Sequence, residues 1–280
     1  MSNPEVTRVM TADGTHLACR FIEGAGDLIV GLHGFTGDGT TMLPLIEKCR
    51  GQRPAVLIDL IGHGQSDAPD HVEHYSMGSV VDQVLSIIGP NPPETVHLIG
   101  YSMGARVALS MAARAPWYFA SITSLSGTAG IDDVSQRAKR HDDDQSLADK
   151  LDQIGVDAFV DEWLDLPLFD PYRNSLDDDD LRATIDQRRS SSVKGLSNSL
   201  RGTGTGSMPP LWSLMPSIES PLLTVAGSLD PKFVELAKRM ADTAANGRSH
   251  IVDGSGHVIH RENLDESARI VGSFLSQRTS

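Results

Sequence analysis

Short, nearly unbroken apolar runs alternate with stretches of helical periodicity along the first half of the chain. Leu28-Ile29-Val30-Gly31-Leu32, Ala55-Val56-Leu57-Ile58, Val96-His97-Leu98-Ile99 and Ile122-Thr123-Ser124-Leu125 are β-rich and too short for helices. Helix-compatible segments, Met42 to Lys48, Ser76 to Ile88 and Ala105 to Ala113, fall between them. Strands without polar alternation are buried on both faces, so the pattern predicts a mostly parallel sheet covered by helices on both sides. After about Gly127 the rhythm stops. Residues 131–200 are charged and helix-leaning, with no buried strand pattern. The strands resume with Leu222-Leu223-Thr224-Val225-Ala226 and Ser249-His250-Ile251-Val252, and a helix over Leu264 to Leu275 follows. The expected organisation is an α/β core, residues 1–128 and 208–280, interrupted by a helical cap, residues 129–207.

One segment carries chemistry on this frame. Gly100-Tyr101-Ser102-Met103-Gly104 follows the strand at 96–99 and precedes a good helix former. That is the pattern of a nucleophile elbow, where a serine stands on a sharp strand-to-helix turn. Its hydroxyl needs an imidazole to take its proton and a carboxylate to orient the imidazole. Asp230 follows the strand at 222–226, and His257 lies in Gly254-Ser255-Gly256-His257 after the next strand. The order Ser, Asp, His is the one this elbow predicts. His33-Gly34-Phe35 closes the strand at 28–32, which makes the N–H groups of Phe35 and Met103 the candidate oxyanion donors. His63, in Gly62-His63-Gly64-Gln65-Ser66, is read as structural. Arg106 stands four residues, about one helical turn, beyond the serine. A guanidinium there has no use in an ester pocket, but does for a substrate with carboxylates.

Charge and composition narrow the partners. With 24 basic and 37 acidic residues the net charge is −13, which argues against nucleic acid or an anionic membrane surface. A local arginine cluster can still select an anion at short range. The acid runs Asp142-Asp143-Asp144 and Asp177 to Asp180 read as solvated surface or helix starts. Gly202-Thr203-Gly204-Thr205-Gly206 lacks the Lys-Ser/Thr of a phosphate loop and reads as a flexible return from cap to core. Cys19 and Cys49 show no metal spacing and suggest a reduced compartment. No basic-then-apolar leader opens the sequence at Met1-Ser2-Asn3-Pro4-Glu5, and no apolar run reaches membrane-spanning length. The expectation is a cytoplasmic enzyme acting on a small molecule without metal or cofactor.

These motifs resemble the α/β-hydrolase superfamily across nearly the whole chain. A finer resemblance, to the 2-succinyl-6-hydroxy-2,4-cyclohexadiene-1-carboxylate synthases of menaquinone biosynthesis, rests on several stretches. They include His33-Gly34-Phe35-Thr36-Gly37-Asp38, the elbow through Ala105-Arg106, Gln136-Arg137-Ala138-Lys139-Arg140, Trp163 with Pro167-Leu168-Phe169, Leu200 to Gly206, and Gly256-His257 with His260-Arg261-Glu262-Asn263. The resemblance implies elimination of pyruvate, with Ser102, His257 and Asp230 removing a proton rather than forming an acyl-enzyme. It implies an oxyanion hole for the enolate-like charge on the succinyl carbonyl. It also implies that Arg106, Arg140 and Arg188 bind a poly-carboxylate substrate beside the pocket aromatics Tyr101 and Trp163. Arg189 adjoins Arg188, and a shift of one residue would exchange them. Ala105 departs from the second glycine frequent in the family. Three other readings stay open from the residues alone. A carboxylesterase or a carbon–carbon bond hydrolase would use Ser102 as nucleophile, and a ligand receptor on the same frame would keep the pocket without turnover.

Overall fold

Ile29, Leu57, Ile99 and Val225 belong to one apolar core, and Val30, Ile58 and Leu98 to another. Successive residues of a strand point to opposite faces, so these two cores must be separated by a sheet. The computed structural model describes residues 4–89 and 95–277. The first three residues of the stretch read above for a leader lie outside them. Its strands are β1 (Val6–Met10), β2 (His16–Ile22), β3 (Leu28–Leu32), β4 (Ala55–Ile58), β5 (Val96–Tyr101), β6 (Phe119–Leu125), β7 (Leu222–Gly227) and β8 (Gly247–Val252). They form one sheet in the order β1-β2-β4-β3-β5-β6-β7-β8. β2 runs antiparallel to β1 and β4, and the remaining pairs are parallel.

The six parallel strands are those the apolar runs predict. β1 and β2 are additions that the pattern did not reveal. β1 is half solvated, and β2 carries an arginine in its middle. Arg20 is nonetheless buried, because its Nη1 meets Asp59 Oδ1 at 2.6 Å inside the sheet edge. The helices are α1 (Leu43–Cys49), α2 (Met77–Ile88), α3 (Met103–Arg114), α4 (Val134–Leu164), α5 (Asp170–Ser175), α6 (Asp178–Arg189), α7 (Val193–Thr203), α8 (Pro231–Thr243), α9 (Ile259–Glu262) and α10 (Leu264–Leu275). α1 and α10 cover one face of the sheet; α2, α3 and α8 cover the other. No helix of the described residues is long and apolar enough to cross a membrane.

Between β6 and β7 the chain runs through α4 to α7. Ala148, Leu151, Phe159, Leu196 and Leu200 pack there as a small core of their own. α4 turns sharply at Gly155, whose φ of +79° is open to glycine at little cost. Asp177 caps α6 by accepting the N–H groups of Asp179 and Asp180, so that acid run is a helix start. The Gly202–Gly206 segment is a correction to the flexible-linker expectation. Gly202 ends α7 against Tyr75, where a Cβ would lie 2.5 Å from the Tyr75 carbonyl. At Gly206 a Cβ would lie 2.1 Å from the His141 nitrogen. These glycines permit close packing rather than freedom.

Candidate active site

β5 ends at Tyr101 and α3 begins at Met103, so Ser102 makes the turn between them alone. Its φ of +50° and ψ of −103° are strained for a residue with a side chain. Both flanking glycines are required by close approach. A Cβ at Gly100 would stand 2.3 Å from the Gly104 carbonyl, and one at Gly104 would stand 2.2 Å from the Leu32 carbonyl. The departure at Ala105 is absorbed by Gly127, where any Cβ would come within 2.6 Å of the alanine methyl.

The ends of β7 and β8 bring the other two groups to this turn. Asp230 caps α8, and its Oδ2 lies 2.9 Å from His257 Nδ1. His257 Nε2 lies 3.2 Å from Ser102 Oγ. A carboxylate only accepts, so Nδ1 carries the proton and Nε2 turns its lone pair to the serine hydroxyl. His257 and Asp230 are buried, and the Phe233 ring sits 4.5 Å from the imidazole. The backbone around His257 is fastened on both sides. Ser126 Oγ donates to its carbonyl at 2.7 Å, and the Glu262 carboxylate accepts the N–H groups of Gly256 and Val258.

The N–H groups of Phe35 and Met103 donate to no other group among the described residues. Both residues line the cavity over Ser102. The loop carrying Phe35 is held from behind, since His33 Nε2 accepts the Leu60 N–H at 2.9 Å. His63 is buried beneath the same loop, its ring 5.7 Å from Phe35, with Nδ1 on the Ile61 carbonyl at 3.0 Å. Packing accounts for it, as expected.

The cavity has a volume of about 320 Å³ and lies between the strand ends and the α4–α7 segment. Aromatic rings form one wall. Trp163 packs edge-on to Phe35 at 5.3 Å and stacks on Phe159 at 5.9 Å. Tyr101 is buried between the rings of His257 and His260, and burial raises its hydroxyl pKa well above the ordinary value. The charged wall is strongly unbalanced: Arg106, Arg140, Arg188 and Lys232 line the cavity with a single carboxylate, Asp144. Arg106 is 8% exposed and donates through Nη1 to the Thr203 carbonyl. Burial, aided by nearby Arg140, pushes its pKa down to about 10, which leaves it charged at neutral pH. Arg140 Nε pairs with Asp144 Oδ1 at 2.8 Å. Arg188 Nη1 donates to Thr36 Oγ1 at 2.6 Å, and burial lowers its pKa. Arg189 turns away to pair with Asp161 at 2.7 Å, so Arg188 is the one that faces the cavity.

Several lining residues were not legible beforehand. Asp144 corrects the reading of its acid run as solvated. It is 2% exposed, and its second oxygen accepts the Gly206 N–H at 3.0 Å. The signal was its spacing four residues after Arg140 on one helix face. Lys232 and Phe233 follow Asp230-Pro231 in the first turn of α8, and no spacing rule marks Glu262, which holds the backbone around His257 from outside the cavity.

The model of the alpha/beta hydrolase family matches residues 29–270. A Bacillus subtilis (strain 168) protein, provisionally named 2-succinyl-6-hydroxy-2,4-cyclohexadiene-1-carboxylate synthase, is 35% identical over 252 residues, 90% of this chain and 91% of its own. The chain belongs to this synthase family of α/β hydrolases. A synthase of the same name from Photorhabdus laumondii is 29% identical, with 93% of this chain and 90% of that protein covered. The solved structure of MenH from S. aureus matches with a TM-score of 0.87 and 32% identity, over 94% of this chain and 99% of that one.

Two histidines beside the site set an acid limit on stability. His63 and His260 are both buried, and burial is the main cause that pushes each down to about 3. The unfolded chain binds these protons near pH 6.5 and the folded chain does not. Their contribution is therefore complete above pH 6.5 and is lost as the pH falls toward 3, at up to about 1.4 kcal/mol per unit and histidine. Urea unfolding at pH 7.5, 6 and 5 should show falling stability, with a shallower slope in His63→Gln. Equal stability at pH 7.5 and 5 would contradict this.

Proposed function

We propose that the protein eliminates pyruvate from 2-succinyl-5-enolpyruvyl-6-hydroxy-3-cyclohexene-1-carboxylate, giving 2-succinyl-6-hydroxy-2,4-cyclohexadiene-1-carboxylate in menaquinone biosynthesis. The observation that carries this reading is the excess of guanidinium groups around Ser102 in a protein of net charge −13. Three carboxylates on the substrate match Arg106, Arg140 and Arg188, and guanidinium pairs with carboxylate through two parallel bonds. Membership of the synthase family supports the same chemistry.

In this reading His257 takes the Ser102 proton and Asp230 holds the resulting imidazolium. Ser102 then acts as the base at the ring carbon that bears the succinyl group, α to its carbonyl. The Phe35 and Met103 N–H groups stabilise the oxyanion that forms. Tyr101 and Trp163 position the ring, and residues 129–207 serve as a cap that keeps water from the anion. The two cysteines are buried free thiols, which suits the cytoplasmic setting proposed with this function.

Offering the purified protein this precursor and a short-chain nitrophenyl ester in parallel tests the reading. Pyruvate release without efficient ester turnover is expected. Rapid ester turnover without pyruvate would favour a Ser102 acyl-enzyme. Arg106→Ala should lower kcat/KM for the precursor by about 10- to 100-fold, the cost of one charged hydrogen-bonded pair. Unchanged kinetics in that variant would remove the carboxylate role.

A further inference from the structure

Beside the main cavity lies a smaller chamber of about 150 Å³, and the two share Phe35, Tyr101 and Arg188 as walls. Thr41, Gln187, Val258, His260 and Arg261 form part of its remaining surface. Three of these groups have donors to spare. Arg188 Nη1 is engaged by Thr36, but its buried Nε has no partner. His260 is 1% exposed, and neither of its ring nitrogens has a partner. Arg261 enters no ion pair among the described residues. The nearby carboxylates do not answer them. Asp38 is taken by Gln187 Nε2 at 3.1 Å and by the Thr40 N–H, and Asp180 stands exposed in the first turn of α6. Buried polar groups left unpaired cost free energy, and such clusters are normally completed by a ligand or water.

We propose that this chamber is a binding subsite for the departing three-carbon 2-oxo acid. Its carboxylate lies between Arg188 and Arg261, and His260 donates to the 2-oxo oxygen. The chamber has room for a three-carbon acid and too little for the ring-bearing tricarboxylate. This assignment rests on the elimination reading above. There the base removes the proton on the ring carbon that bears the succinyl group, its electron pair forms a C=C bond to the adjacent ring carbon, the existing ring C=C pair shifts one position along, and the ring C–O bond to the enolpyruvyl group breaks. The enolpyruvate takes up a proton at carbon to become pyruvate, with no net oxidation. Arg188, shared by both cavities, holds the leaving group's carboxylate before and after the bond breaks. A neutral imidazole suits the far wall, because a protonated one would repel the two guanidiniums.

Titration of the resting protein with 13C-labelled pyruvate, followed by NMR, tests the subsite without any turnover. Arg261→Gln should weaken pyruvate binding about tenfold, while affinity for the cyclohexadiene product changes less than twofold. Arg261→Lys should recover part of the loss, and His260→Phe should weaken pyruvate binding in the same direction. Circular dichroism melts identify any variant that fails to fold, and the remaining variants then decide. Unchanged pyruvate affinity in the folded variants would overturn the proposal. So would equal losses for pyruvate and the cyclohexadiene, or direct competition between them for one place. Failure to release pyruvate from the precursor would instead sink the function reading, and the binding data would still stand apart from it.

Discussion

Ser102→Ala should lower kcat for pyruvate release by about 10³-fold, within the range for loss of a positioned acid–base group. KM should change little, because in the proposed function the arginines rather than the serine hold the carboxylates. The expectation follows from the geometry of the relay. Ser102 Oγ lies 3.2 Å from His257 Nε2, and the imidazole is fixed by Asp230 on its other nitrogen. Removing the hydroxyl leaves the imidazole in place, yet one atom too far back to reach the substrate carbon. Residual turnover would come from water in the vacated space and from the oxyanion donors. Single-turnover measurements of pyruvate release separate this chemical step from binding. A loss below tenfold would mean that another group takes the proton. An acyl adduct on Ser102 trapped during turnover of the precursor would mean that the serine is a nucleophile after all.

The largest stability effect belongs to a residue that never meets substrate. Asp59 is fully buried and accepts hydrogen bonds from Arg20 Nη1, the Gly39 N–H and the Gln65 N–H. Asp59→Ala leaves the Arg20 guanidinium buried without a counter-charge, at a cost of about 3–5 kcal/mol. That is a large share of the net stability of an ordinary domain. Urea unfolding monitored by circular dichroism measures it. The double variant Arg20→Met, Asp59→Leu should regain most of the loss, since a desolvated ion pair is often no better than an apolar one. A single variant within 1 kcal/mol of the parent would show that water reaches Arg20 in the folded state.

The same pair explains what the sequence concealed at the sheet edge. β3 to β7 were readable because central parallel strands bury both faces and so contain few polar residues, whereas β8, at the other edge of the sheet, is only partly buried. β2 did not fit that rule, because its arginine is neutralised by Asp59, 39 residues away along the chain. Ser102, Asp230 and His257 were readable because Ser102 directly follows β5 and the other two lie in the short loops after β7 and β8, where the covalent chain limits their place. Asp144 was not. In the sequence it is one of three identical acids, and its spacing from Arg140 does not by itself tell that it is the one enclosed by the path of Gly204 to Gly206. The choice between Arg188 and Arg189 was open for a similar reason, since neighbours on a helix differ by only about 100° and the fold decides which one turns inward. Glu262 acts through the backbone of its neighbours, and nothing in side-chain type announces that.

Gly155 divides α4 into two rods with separate duties. Arg140 and Asp144 sit on the first, and Phe159 and Trp163 on the second. Part of the charged wall and part of the aromatic wall are thus borne by one continuous segment of chain, on either side of a joint. The joint makes the site modular: recognition of charge can be inherited unchanged while recognition of shape drifts.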